Sequence, residues 1–158
     1  MDTIDYFAFA GSYPFGEPGD YPLAQLLQEM DRFRVARSWV TDLGSVFRKD
    51  PSSANETFLA ECRSHGDRII PLPVIDLSAG TFEADISDLR DRYGIAGVRI
   101  APNYHGYDVE PALADRLLQL LSELRLALCG VCEDHAGKGR GAGDRTYHRT
   151  DAGQWRDD

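Results

Sequence analysis

The chain has 158 residues, of which 42% are hydrophobic and 27% are charged, so it can bury one ordinary core and is not disordered as a whole. Its 26 acidic residues outnumber 17 basic ones and give a net charge of -9, so its average field repels nucleic-acid phosphates and anionic membrane surfaces. No apolar run approaches the roughly 20 residues that a membrane span needs, and we expect neither nucleic acid nor membrane as a partner.

The cysteines and the first residues indicate the compartment. Cys62, Cys129 and Cys132 are few and odd in number, and the segment from Met1 to Asp5 lacks the basic and apolar parts of a secretion signal. We therefore expect a protein of the reducing cytoplasm.

Five short runs rich in β-branched and aromatic residues predict β-strands whose starts lie about thirty residues apart. The third run contains Pro71 and Pro73, neither of which has an amide proton to donate, so we expect its hydrogen-bonded ladder to end early. The predicted strands are residues 4–9, 35–41, 68–75, 97–100 and 126–131.

Four segments with the apolar spacing of amphipathic helices separate these strands. The first begins at Asp20 and Pro22, the second at Pro51, the third at Thr81, and the fourth near Pro111. Strands that alternate with helices at this interval are typical of parallel βαβ construction.

The composition changes after Cys132. Residues 133–158 contain no Leu, Ile, Val, Met or Phe but five glycines, so no amphipathic stripe forms there. We predict one folded domain over residues 1–132 and a Gly-rich, polar, disordered tail over residues 133–158.

Two α/β architectures fit these elements. A five-stranded flavodoxin-like doubly wound sheet suits the length, but that fold normally closes with a helix after strand five, and the tail offers none. The alternative is an incomplete (β/α) TIM-type barrel of about five parallel strands and four helices, since the thirty-residue interval fits but the roughly 250 residues of a full barrel are not reached. We predict the part-barrel, and its two unpaired edges predict a homo-oligomer.

Two segments resemble the amidohydrolase-related family of metal-dependent barrel enzymes. They are the run of residues 97–107 and, near the start, Asp5 with residues 11–15, and the resemblance extends over about residues 4–134. It implies hydrolysis or non-oxidative decarboxylation of a small carboxylate or lactone around one divalent metal, zinc or manganese. Glu133 and Asp134 are similar to the acidic pair that follows strand five in this family.

The resemblance breaks at the first strand, where the family motif is Asp-x-His-x-His. Asp5 is present, but Phe7 and Phe9 hold both histidine positions. Side chains two apart in a strand share a face, so both rings should project into the barrel interior, where the simplest interpretation is a packed core. A phenyl ring cannot ligate a metal. We therefore expect no metal cofactor and a truncated or catalytically deficient member, the alternative being a non-catalytic α/β binding or subunit-interaction module.

Polar residues of strand four and its loop form the candidate site. Arg99, Asn103 and His105 share odd-numbered strand parity at the carboxyl end of the strand, where parallel α/β folds place active sites. We expect Arg99 to bind a substrate carboxylate bidentately, Asn103 to donate to a carbonyl oxygen, and His105 to transfer a proton as the catalytic residue. The alternative is a loop whose polar groups satisfy one another.

Cys129 and Cys132, with His135 and His148, superficially offer four zinc ligands. In an extended strand the two thiols point to opposite faces, so joint coordination needs a turn at Gly130. Buried, inert thiols are the interpretation that we favour.

Overall fold

The computed structural model describes residues 2–15 and 19–130, together with the backbone of residues 147–149 and 155–157. Strands alternate with helices along most of the chain. The strands are β1 (Thr3–Ser12), β2 (Asp20–Tyr21), β3 (Val35–Asp42), β4 (Ile69–Pro71), β5 (Val74–Ile75), β6 (Gly97–Ile100), β7 (Ala127–Gly130), β8 (Tyr147–Arg149) and β9 (Trp155–Asp157). The helices are α1 (Leu23–Phe33), α2 (Leu43–Val46), α3 (Ser52–Cys62), α4 (Phe82–Tyr93), α5 (Pro102–His105) and α6 (Pro111–Leu124), with a 3-10 segment over Arg63–Arg68.

The main strands are parallel and lie in sequence order. One hydrogen-bonded sheet has the strand order β2-β1-β3-β4 and a second has the order β5-β6-β7. Apart from the antiparallel β1–β2 pair, every pair in them is parallel. Because the chain runs directly from β4 into β5, the five predicted strands follow one another around the sheet. A flavodoxin-like sheet would place the first strand between the second and third, so that alternative is wrong, and the observed order is that of a (β/α) barrel.

The third predicted strand is interrupted, as its prolines indicate. It pairs with β3 up to Pro71 and with β6 from Val74 onward. Between them, the Leu72 amide donates to the Val40 carbonyl over 2.8 Å, and the Pro73 carbonyl accepts from the amide of β6 over 2.8 Å. The expected early end of the ladder is confirmed.

A side chain replaces the missing strand partner at this interruption. Asn55 of α3 is buried, and its amide nitrogen donates to the Val74 carbonyl over 2.7 Å, while its oxygen accepts from the Val74 amide over 3.0 Å. The carboxamide thus makes the two hydrogen bonds that a neighbouring peptide group would make.

The hydrophobic core lies between the sheet and the helices. Ala8 and Val40 pack against α1 and α3, and Val98 and Ile100 pack against α4 and α6. The side chains that alternate with these point to the opposite face of the sheet. The largest helix-side residues buried here are Leu23, Leu59, Phe82, Ile86, Leu117 and Leu121.

Three details differ from the sequence prediction. Asp20 lies in the short strand β2 rather than capping a helix, and α1 follows Pro22. The short helices α2 and α5 carry too few residues to show a period. In the tail, β8 and β9 pair antiparallel; the rest of residues 133–158 lies outside the described residues, so the disordered tail stays a prediction. Within the described part of the chain, no helix is long and apolar enough to cross a membrane.

Candidate functional site

The sheet is curved, and its concave face carries the candidate site. The Cζ atom of Arg99 on β6 lies 4.5 Å from the ring centroids of both Phe7 and Phe9 on β1. Three steps between neighbouring strands separate β1 from β6. In a flat sheet these steps would add up to roughly 14 Å, and side chains that stand perpendicular to the sheet would not meet. The contact therefore requires the curvature of a barrel wall.

An irregularity in β1 includes Phe7 and precedes Phe9. Asp5 pairs with Ser38 and Ala8 pairs with Val40, so β1 uses three steps where β3 uses two. The Asp5 carboxylate accepts a hydrogen bond from the Phe7 amide over 2.9 Å at this bulge. From Phe7 onward, the even-numbered alanines face the helices and the odd-numbered phenylalanines face the concave side.

The prediction that Phe7 and Phe9 project together is confirmed. Their ring centroids are 5.3 Å apart and the rings are edge to face, at 88°. The simple core interpretation fits Phe9, which packs against a small buried cluster, but it is wrong for Phe7, which is 56% exposed. The cluster beside Phe9 consists of Val46, Val74 and Ala101.

Arg99 is the most unusual residue of the concave face. It is fully buried, and its Nε, Nη1 and Nη2 atoms have no hydrogen-bond partner among the described residues. Burial lowers the pKa of Arg99, whereas interactions with Cys129 and Asp5 raise it. Burial likewise raises the pKa of the Cys129 thiol, against the effect of the neighbouring guanidinium. Because an arginine titrates so far above neutrality, Arg99 is a buried cation at pH 7.

The sequence analysis expected strand alternation to put Asn103 and His105 on the same face as Arg99. The structure corrects this expectation, because the strand does not extend to these two residues. β6 ends at Ile100, and residues from Pro102 to His105 form the helical turn α5, so the two-residue alternation stops before these positions. Both ring nitrogens of His105 are buried without a hydrogen bond to any described residue. The imidazole centroid is 6.3 Å from that of Tyr107, which packs against the helix-side core.

Sequence reasoning missed a cluster of aromatic side chains at the carboxyl ends of the strands, which we call the aromatic rim. Phe47 contacts three other rings edge to face, at centroid distances of 5.6, 5.1 and 4.9 Å. The rim residues follow β1, β3 and β6, so only the pattern of an aromatic shortly after each strand could have indicated them. They are Tyr13, Phe15, Phe47 and Tyr104.

Asp42 helps to position the rim. Its carboxylate accepts hydrogen bonds from the Ser45 amide and hydroxyl, both over 2.7 Å, and so caps α2, the helix that Phe47 directly follows. Gly11 lies against the same carboxylate with a φ of +101°, and a Cβ atom there would overlap an oxygen of Asp42. The ends of β1 and β3 are therefore closely packed below the rim.

The residues of the concave face do not fit a divalent metal. Phe7 and Phe9 have no lone pair to offer an ion, and within the described residues no three His, Cys, Asp or Glu side chains are grouped to hold one. Of the thiols in the zinc hypothesis, Cys129 lies beside Arg99. Cys132, the two histidine side chains of that hypothesis, and Glu133 with Asp134 fall outside the described part of the structure.

No family model matches the sequence, and no curated protein matches it. Solved structures do resemble the fold. A probable 2-pyrone-4,6-dicarboxylic acid hydrolase from Acinetobacter baumannii with bound citric acid has a TM-score of 0.57 at 14% identity, covering 81% of this chain and 48% of its own. The 2,6-dihydroxybenzoate decarboxylase from Rhizobium has a TM-score of 0.61 at 12% identity, with 81% and 49% covered. The 5-carboxyvanillate decarboxylase from Novosphingobium aromaticivorans, complexed with manganese and a nitrobenzoic acid, gives 0.61 at 13%, with 80% and 49% covered.

At these identities the likeness establishes the fold and nothing finer. The described part of the chain shares the α/β fold of these structures, which agrees with the (β/α) architecture predicted from the sequence. The chain spans about half the length of each of these proteins.

Proposed function

We propose that this chain is a catalytically deficient, amidohydrolase-related part-barrel that binds a small carboxylate on its concave face. The parent reaction of such a barrel is hydrolysis or decarboxylation of a small carboxylate or lactone. Phe7 and Phe9 replace the imidazoles that would hold the metal for that reaction, so binding without turnover is the function that these residues support.

The buried guanidinium of Arg99, whose N–H groups have no oxygen or nitrogen acceptor among the described residues, is the observation that carries this proposal. An arginine has five N–H donors, and leaving buried donors of a charged group without acceptors costs several kcal/mol. A carboxylate supplies two acceptors in one plane, which matches the guanidinium fork. The neighbours point to the same chemistry, since the structures described above contain citric acid and a nitrobenzoic acid.

The surrounding residues would orient the ligand. The aromatic rim offers ring faces and edges to the apolar part of a planar ligand. Asn103 would donate to a carbonyl oxygen, and His105 would be the group that moves a proton if any turnover persisted. These roles require α5 to bring both side chains toward the concave face when a ligand is bound.

Calorimetric titration with a panel of carboxylates, combined with assays of lactone hydrolysis and decarboxylation, tests the proposal. We expect at least one carboxylate to bind with a Kd of about 0.1–1 mM, as one charged anchor and one ring contact would give. We expect no turnover above background. Failure of citrate, benzoate and substituted benzoates to bind at about 10 mM would refute carboxylate binding, and metal-dependent turnover would refute the deficiency.

A subunit-interaction module is the second candidate, and the exposed apolar side chains of β1 favour it. Ile4, Tyr6 and Phe7 are 37%, 61% and 56% exposed on this one strand, and β7 is the last strand of its ladder. Light scattering coupled to size-exclusion chromatography distinguishes the two cases. A monodisperse oligomer that binds no carboxylate would favour the interaction module.

A further inference from the structure

The concave face holds a positive charge in a setting that suits an organic cation better than a metal ion. Phe7 and Phe9 have no lone pair to donate to a metal, but the faces of aromatic rings attract a guanidinium within about 6 Å. Both rings lie at 4.5 Å from the Cζ atom of Arg99.

We infer that Arg99 supplies the cation of this site and that a small monocarboxylate binds to it without a divalent metal. This inference rests on the proposed carboxylate binding and deepens it, because it specifies a ligand with a single negative charge and binding that needs no metal. With Phe7 and Phe9 in place of metal ligands, the cation of the site is a guanidinium instead of a metal ion, and the ability to bind a carboxylate is kept.

The geometry leaves the hydrogen-bonding capacity of Arg99 for a ligand. The two ring centroids are 5.3 Å apart, hardly farther than either is from Cζ, so both rings lie to one side of the guanidinium. Aromatic rings stabilise its charge but offer no in-plane acceptor to its N–H groups. Nε, Nη1 and Nη2 have no oxygen or nitrogen acceptor among the described residues, and the neighbouring Cys129 thiol is only a weak acceptor. Two parallel bonds to one carboxylate would satisfy the fork.

The charge of the surroundings favours a monoanion. The charge of Asp5 acts on Arg99, although burial and the neighbouring Cys129 affect the pKa of the guanidinium more. A ligand with two negative charges would meet one guanidinium and the Asp5 carboxylate together, so its second charge would be repelled. We therefore expect benzoate to bind more tightly than the phenyl phosphate dianion.

Phe7 lies beside the buried guanidinium of Arg99. The guanidinium is fully buried, whereas Phe7 is more than half exposed, and its ring centroid is 4.5 Å from Cζ. A carboxylate can reach the fork only after a covering side chain moves, and we take the exposed Phe7 ring to be that side chain. Buried donors without an acceptor favour the movement once an acceptor is present.

The test is calorimetric titration of the full chain with benzoate, first after EDTA treatment and then with added Mn²⁺. We expect the Kd to change by less than about twofold between the two conditions, because the anchoring charge belongs to the protein. Arg99→Met should weaken binding about tenfold or more, the amount expected from losing hydrogen bonds to a charged group. Methyl benzoate, which has no charge, should not bind.

Control variants separate a binding role from a structural one. Arg32 lies over the Phe33 ring at 5.2 Å but is exposed, so Arg32→Met removes a comparable arginine–ring contact outside the site and should leave the Kd unchanged. Arg99→Lys keeps the charge without the fork and should give an intermediate Kd. The comparison of EDTA and Mn²⁺ uses the unaltered chain, so it stands even if Arg99→Met does not fold.

The contradicting results are distinct. Benzoate binding that appears only with Mn²⁺ would overturn the inference while leaving carboxylate binding intact, as would a folded Arg99→Met variant that binds as tightly as the unaltered chain. Absence of binding by any carboxylate in both conditions would overturn the inference and the proposed function together.

Discussion

Replacing Asn55 with alanine tests how the interrupted third strand is held. The carboxamide makes two hydrogen bonds to the backbone of Val74, at 2.7 and 3.0 Å, and it is buried. Alanine leaves a buried N–H and a buried C=O without partners, and each such group costs about 1–3 kcal/mol. We expect the free energy of unfolding to fall by about 2–5 kcal/mol.

Urea denaturation followed by circular dichroism measures this loss. With a slope of about 2 kcal/mol per molar urea, the midpoint should fall by roughly 1–2.5 M. Thr57→Ala is the matched control, because Thr57 lies on the same helix and its hydroxyl bonds to the Ser53 carbonyl at an exposed position; it should change stability by no more than about 0.5 kcal/mol. A loss below about 1 kcal/mol for Asn55→Ala would refute the claim that this side chain completes the ladder.

Three further predictions concern the concave face and the core. Phe7→His combined with Phe9→His should create no hydrolase activity, because the described residues offer no further group of ligands; recovered activity with added Mn²⁺ or Zn²⁺ would contradict this. Gly11→Ala should lower the free energy of unfolding by about 2 kcal/mol or more, since it combines a left-handed φ with overlap against Asp42, and an unchanged urea midpoint would be the contrary result. Burial raises the pKa of Cys62 to about 12, so above the ordinary thiol pKa the unfolded chain releases a proton that the folded chain keeps. The free energy of unfolding should therefore fall as pH rises from about 9 to 12. Urea denaturation at several pH values measures this fall, and the part that Cys62 contributes should be absent in Cys62→Ala.

The sequence predicted the elements well because their ends are marked by local chemistry. Proline residues begin α6 and end β4, and the left-handed Gly94 closes α4. Such signals depend on a few neighbouring residues and are therefore readable without the fold. The sequential order of the strands could be inferred too, since the tail lacks the apolar residues of a closing helix.

The site was less predictable because its contacts join residues far apart in the chain. The shared face of Phe7 and Phe9 followed from strand alternation, but the position of Arg99 against them depends on the curvature of the whole sheet. The alternation of side chains between the two faces of the strand could not be extended beyond Ile100, because Pro102 begins a helical turn. The aromatic rim joins three separate loops, and no local period marks it.

The break between β4 and β5 separates two hydrogen-bonded sheets. The helix-side core is likewise divided, with one cluster beneath β1 and β3 and another around β6. Amide hydrogens on the two sides should consequently exchange with solvent as two separate sets, each with its own opening free energy. The guanidinium of Arg99 reaches from the later sheet to the rings of the earlier one, so a ligand bound there would protect both sets at once.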